Sequence, residues 1–149
     1  STMRLRALVF DDDPMIRKLV WEVLNLRGYQ VFTFPDPGLC PLNATLQCPC
    51  PGAGACTDVI ISDLQMPNVN GLDFVEALRR KGCHCGAIAL MSGNWSHEEE
   101  QRGRAIGCTL FAKPFAIADL NHWLDEIEGA VQPDRDLVDA HTVQREASP

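Results

Sequence analysis

Short apolar runs alternate along this chain with longer segments of helical periodicity, and that alternation limits the fold more than any other feature. Arg4–Phe10 reads as a buried strand. Asp13 can cap the helix that follows, with Pro14 in the first turn, where a missing N–H costs nothing. Ile16, Leu19, Val20, Val23 and Leu24 recur at helical spacing up to Gly28, and Tyr29–Phe34 is a second short strand. Strand, helix and strand again is the signature of a parallel sheet, because parallel neighbours need a crossover. The rhythm returns with a strand over Thr57–Ser62 and a helix from an Asn70 cap to about Lys81, with Asp73 reaching back as a capping acid. A strand over Ala87–Met91 follows, then a helix opened by a Ser96/Glu99 capping box and running to about Ile106. Cys108–Ala112 is the fifth strand and Phe115–Ala130 the fifth helix, with Ile117, Leu120, Trp123, Leu124 and Ile127 on one face.

The ends of these strands carry the chemistry. Asp11 and Asp12 follow Leu8-Val9-Phe10, and Asp63 comes just after Val59-Ile60-Ile61. In an open α/β sheet, residues past the carboxyl ends of strands line the ligand crevice. Three acids gathered there repel one another unless a cation neutralises them, which points to a divalent-metal site with one carboxylate left for chemistry. Ser92 follows the fourth strand and Lys113-Pro114 the fifth. Any one acid could serve only as a helix cap, and Asp13 is read that way.

The 149 residues suffice for one domain of ordinary size, and 46% hydrophobic with 22% charged is a globular composition. The net charge of −7 repels nucleic acid and anionic lipid, so neither is expected as a direct partner. No apolar run approaches the roughly 20 residues that span a bilayer. The first residues lack the apolar core of a secretory signal, so a cytoplasmic location is expected. Residues 131–149 are polar and read as a tail or a linker, leaving 4–130 as the domain.

The order of these motifs resembles the receiver domain of two-component response regulators. The resemblance is carried by Phe10-Asp11-Asp12-Asp13-Pro14, Asp63-Leu64-Gln65-Met66-Pro67 leading to Gly71, Met91-Ser92-Gly93 and Lys113-Pro114-Phe115. It implies a doubly wound, five-stranded parallel sheet of order 2-1-3-4-5, flavodoxin-like, with its switch point between strands one and three. It also implies that Asp63 is the phosphoacceptor, taking a phosphoryl group from a histidine kinase or phosphotransfer protein and relaying the change to an output partner. Asp12, Asp63 and the backbone carbonyl of Gln65 would ligate Mg²⁺, with Asp11 acting mainly through water. Ser92 and Lys113 would contact phosphoryl oxygens. Activity would be confined to self-phosphorylation and autodephosphorylation. A phosphohydrolase acting on free substrates is disfavoured, because the chain offers no second carboxylate placed as a general acid.

Two departures from the family pattern stand out. Receivers usually carry an aromatic three residues before the lysine, where this chain has Leu110; Phe111, one residue later, should face the other side of the sheet. Coupling to output is therefore expected through the segment from Gly93 to Glu100, where Trp95 is either an exposed partner contact or a packed cap. The second departure is the stretch Pro35–Cys56, which holds five of the ten prolines and four of the seven cysteines and should abbreviate the second helix of the fold to at best a short one over Leu39–Gln47, the remainder being loop. Strand order brings the loop with Cys48, Cys50 and Cys56 beside the loop with Cys83 and Cys85, at the end of the sheet opposite the acids. Structural Zn²⁺ or an iron–sulfur cluster, disulfides, and independent thiols are all open readings of that grouping. A metal- or redox-sensing module on the same scaffold is the alternative function.

Overall fold

A computed structural model describes residues 4–39 and 56–137. Its elements are β1 (Arg6–Phe10), α1 (Pro14–Leu26), β2 (Gln30–Phe34), β3 (Val59–Asp63), α2 (Gly71–Arg80), β4 (Ala87–Ser92), α3 (His97–Ala105), β5 (Thr109–Ala112) and α4 (Ile117–Ala130). A single 3₁₀ turn at Pro37–Leu39 leads into the cysteine-rich stretch. The expected short helix over residues 39–47 falls almost wholly outside the described residues, as do Cys40, Cys48 and Cys50.

All strand pairs are parallel, as the βαβ rhythm implied, and the order is β2-β1-β3-β4-β5, as the family resemblance implied. Alternate residues of each strand feed two cores. Leu8, Phe10, Ile60, Ile88 and Leu90 face α2, meeting Leu72, Phe74, Val75 and Leu78. Ala7, Val9, Val59, Ile61, Ala89 and Met91 face α1 and α4, meeting Val20, Val23, Leu24, Leu120, Trp123 and Leu124. Both sheet faces are thus covered, which is why the central strands read as continuous apolar runs.

Local signals set the helix ends. Asp13 accepts from the Met15 N–H at 2.9 Å, and Ser96 and Glu99 form the reciprocal capping box. Asn70 caps α2 by accepting from Leu72 and Asp73 N–H groups. Asp73 does not reach back as expected: its carboxylate meets Arg102 of α3 at 3.1 Å, and a guanidinium across the helix pair offers more than a cap that Asn70 already supplies. α3 buries only Gly103, because its remaining residues are mostly charged; that glycine lies where a Cβ would come 2.7 Å from Leu110 Cδ2. Among the described residues, no helix is long and apolar enough to cross a membrane.

The start of the expected polar tail is docked rather than frayed. Arg135 grips the Asp58 carboxylate through Nε and through Nη2 at 2.6 Å, and Nη2 also reaches the Arg4 carbonyl at 3.2 Å. Asp58, 3% exposed at its side chain, also accepts from the Arg6 N–H at 2.9 Å. A buried carboxylate needs such partners, and the guanidinium comes from 77 residues downstream.

Candidate functional site

Parallel pairing brings the carboxyl ends of β1, β3, β4 and β5 to one edge of the sheet. The register pairs Phe10 with Ser62, Asp63 with Met91, and Ser92 with Ala112. Asp11, Asp63, Ser92 and Lys113 therefore converge, although they are spread over 102 residues of sequence. Asp11, Asp12 and Asp63 each offer a carboxylate oxygen, and these atoms all lie within 4.8 Å of one another.

Their environments differ. Asp11 is fully buried, Asp63 is nearly so, and Asp12 is exposed at the mouth of the crevice. Asp11 accepts from the Asp13 N–H at 2.9 Å, and Arg17 donates to the Asp11 carbonyl at 2.7 Å. Lys113 Nζ lies 2.9 Å from Asp11 Oδ2 and 3.3 Å from Asp63 Oδ1. Burial, reinforced by the neighbouring Asp11 carboxylate, pushes Asp63 up to about 6 from an ordinary 3.8, despite Lys113 and the Gln65 N–H. Desolvation opposes the Lys113 charge, but the hydrogen bond and charge of Asp11, with those of Asp63, hold its ammonium above the usual lysine value. Lys113 pairs with two of the three carboxylates, so the pocket keeps negative charge and oxygen donors suited to a hard divalent ion.

The frame around Asp63 is tight. Leu64 N–H donates to the Met91 carbonyl and Gly71 N–H to the Leu64 carbonyl, both at 2.7 Å. A Cβ on Gly71 would stand 2.5 Å from the Asp63 carbonyl oxygen, so only glycine lets α2 start this close to the strand end. An isolated bridge between Gln65 and Asn70 closes the same turn. Ser92 is buried, its hydroxyl accepts from the Asn94 N–H at 3.1 Å, and its carbonyl accepts from the Lys113 N–H at 2.8 Å.

Leu110 packs in the core cluster on the α2 side of the sheet, while the Phe111 ring faces the other side against Phe115 and Trp123, as the strand period requires. Trp95 is a packed cap: it is half-buried against the Leu110 side, and its indole N–H donates to the Phe111 carbonyl at 2.9 Å.

The cysteines separate from this chemistry. Cys56, Cys83, Cys85 and Cys108 are all buried in one core cluster, which brings together the described members of the expected group. Among the described residues, however, only the three aspartates form a group of three or more His, Cys, Asp or Glu able to share a metal. The zinc site expected from Cys48, Cys50, Cys56, Cys83 and Cys85 thus finds no support, and Cys48 and Cys50 lie outside the described residues. Burial pushes the Cys85 thiol well above its ordinary value and the Cys108 thiol up to about 11. The Cys85 thiol donates to the Asp58 and Ala87 carbonyls at 3.6 Å. Sequence reasoning did not single out the Asp58–Arg135 pair; the available signal was a charge at the start of an otherwise apolar strand.

Comparison with known proteins agrees with this geometry. Residues 7–125 match the response regulator receiver domain family. The alkaline phosphatase synthesis transcriptional regulatory protein SphR of Synechococcus elongatus is 35% identical over 77% of this chain and 45% of its own length. The transcriptional regulatory protein KdpE of Mycobacterium tuberculosis is 29% identical over 85% of this chain and 50% of its own. This chain therefore spans about half the length of these curated relatives. The crystallised chemotaxis protein CheY4 of Vibrio cholerae superposes with a TM-score of 0.67 at 31% identity, covering 83% of this chain and 98% of that one. With the family matched over most of its length and a CheY-like sheet carrying the acids at its switch point, the chain belongs to the response regulator receiver domains.

Proposed function

We propose that this domain, over residues 4–130, is a phosphoacceptor switch in which Asp63 takes a phosphoryl group from the phosphohistidine of a kinase or phosphotransfer protein. The supporting observation is a nearly buried Asp63 carboxylate whose oxygen lies 3.3 Å from the Lys113 ammonium, beside two further acids within ligating distance. A carboxylate oxygen attacks phosphorus in line, forming the new O–P bond as the P–N bond to the donor imidazole breaks; the electron pair leaves with the imidazole nitrogen. Lys113 balances charge on one phosphoryl oxygen, and the Ser92 hydroxyl donates to another. Asp12, Asp63 and the Gln65 carbonyl are suited to hold Mg²⁺, with Asp11 through water; bound there, the ion neutralises the carboxylates and the transferring group. Asp11 also keeps Lys113 in place, because the 2.9 Å contact between them is shorter than that to Asp63. The output partner would read the resulting change in the loop after β4 and in β5.

Incubation with acetyl phosphate and Mg²⁺, followed by intact mass measurement, tests the reading. One phosphoryl adduct should form on the native chain and none on Asp63→Asn. Undiminished labelling of the variant would end the assignment.

A further inference from the structure

Arg17 of α1 reaches back to the turn that carries the first two acids. Asp12 is the exposed member of the trio, and among the described residues its carboxylate has no hydrogen-bond or ion-pair partner. Its place within 4.8 Å of the Asp11 and Asp63 carboxylate oxygens is therefore set by the backbone on either side of it. Arg17 ties both sides. Its guanidinium Nη1 donates to the Asp11 carbonyl at 2.7 Å, and its backbone N–H donates to the Asp13 carbonyl at 2.9 Å. A peptide unit is planar, so holding the Asp11 carbonyl also fixes the direction of the Asp12 N–H. The turn is completed by the Asp13 N–H donating to the Asp11 carboxylate and the Asp11 N–H donating to the Phe34 carbonyl at 3.2 Å. Arg17 is half-buried in a groove that it lines with Pro14, Lys18, Trp21 and Thr33, so its stem is packed while its head is bonded.

We propose that Arg17 is a positioning residue for divalent-ion binding: through the Asp11 carbonyl it holds the Asp12 carboxylate ready beside Asp63. The inference rests on the phosphoacceptor reading above and on the ion that reading uses. Groups that orient a ligating side chain without touching the ion commonly change metal affinity by about 10- to 100-fold. Without the Arg17 guanidinium, the turn at Asp12 is ordered only when the ion arrives, and that entropy cost weakens binding. A purely electrostatic role has the opposite sign. A guanidinium beside a cation site repels the cation, so its removal would tighten binding. A role in stability alone would leave binding by the folded protein unchanged. The sign of the change in affinity therefore separates positioning from both.

Mn²⁺ takes the same carboxylate, carbonyl and water ligands as Mg²⁺, and loss of its free-ion EPR signal measures binding directly. Arg17→Met keeps the stem in the groove and removes donor and charge; Arg17→Gln removes the same charge and reach with a polar side chain. In whichever keeps a near-native urea midpoint, the Mn²⁺ dissociation constant should rise about tenfold. Arg17→Lys, whose ammonium can donate to the same carbonyl, should recover at least half of that loss on a logarithmic scale. In an Asp12→Ala background, Arg17→Met should add less than about twofold, because the carboxylate it positions is gone. Labelling by acetyl phosphate should split accordingly: the Mg²⁺ concentration giving half-maximal rate rises about tenfold in Arg17→Met, while the plateau rate stays within about twofold. Unchanged or tighter Mn²⁺ binding in Arg17→Met or Arg17→Gln overturns the proposal alone. So does an equal loss in Arg17→Lys, or a loss that persists in full without Asp12. A native chain that binds no Mn²⁺ and takes no phosphoryl adduct overturns the phosphoacceptor reading and this inference with it.

Discussion

Asp63→Asn should stabilise the metal-free protein above neutral pH. The Asp63 carboxylate is only 10% exposed at its side chain, and Asp11 stands beside it; these outweigh Lys113 at 3.3 Å and hold the group near 6 instead of 3.8. A carboxylate with a raised value in the folded state binds more protons there than in the unfolded chain. Its contribution is full below the unfolded value and is lost as pH rises through the folded one. About two units at 1.36 kcal/mol each set a ceiling of about 3 kcal/mol. The crevice opens to solvent at Asp12, and screening there reduces the expected gain to between about 1 and 2 kcal/mol. Asparagine keeps the shape and removes the charge. Urea unfolding in the presence of a chelator should therefore place the variant above the native chain at about pH 8, with the difference vanishing at about pH 4. Acids outside the pocket titrate alike in both proteins and cancel. If Mg²⁺ binds with an affinity of about 1 mM, then about 10 mM should return about 1.4 kcal/mol to the native protein and less to the variant. A variant equal to or weaker than the native chain at about pH 8 without metal would refute the claim that the pocket holds excess negative charge.

Four further outcomes follow from individual contacts. Arg135→Ala leaves Asp58 buried without its guanidinium; because the Arg6 N–H remains, the loss should be about 2 kcal/mol, read as a lower urea midpoint. Gly71→Ala should cost about 1–3 kcal/mol and slow labelling of Asp63 by acetyl phosphate, since its Cβ would collide with the Asp63 carbonyl. Cys85 and Cys108 should react with an aromatic disulfide reagent only as fast as the protein opens, so that urea below the transition accelerates labelling. Leu110→Ala removes the side chain that seats Gly103 of α3 and should cost about 2 kcal/mol while leaving acetyl phosphate labelling intact.

Much of the fold was legible because its signals are local. Apolar runs of strand length, a crossover between each pair, and caps at Asp13, Asn70 and Ser96/Glu99 act within a few residues. The acids after β1 and β3 were legible for the same reason: a parallel sheet aligns strand ends, so a residue's place along its strand predicts its place in space. Phe111 could be assigned to the face opposite Leu110 from the strand period alone.

What depended on tertiary structure were choices among partners. Asp73 had a plausible local role and took a distant one with Arg102, because two helices on one sheet face bring that guanidinium within reach. Of the cysteines expected to gather, Cys56, Cys83 and Cys85 share one apolar cluster, and burial there, not spacing, decides how they behave. Trp95 could have faced a partner or packed inward; the Phe111 carbonyl satisfies its N–H and settles it inward. Arg135 found Asp58 across 77 residues, a pairing no local pattern announces. By itself, the sequence determined which elements form and which strand ends carry acid, since those follow from propensity and period. Only the folded chain decided which charges pair and how far each is removed from water, because both depend on contacts between residues far apart in sequence.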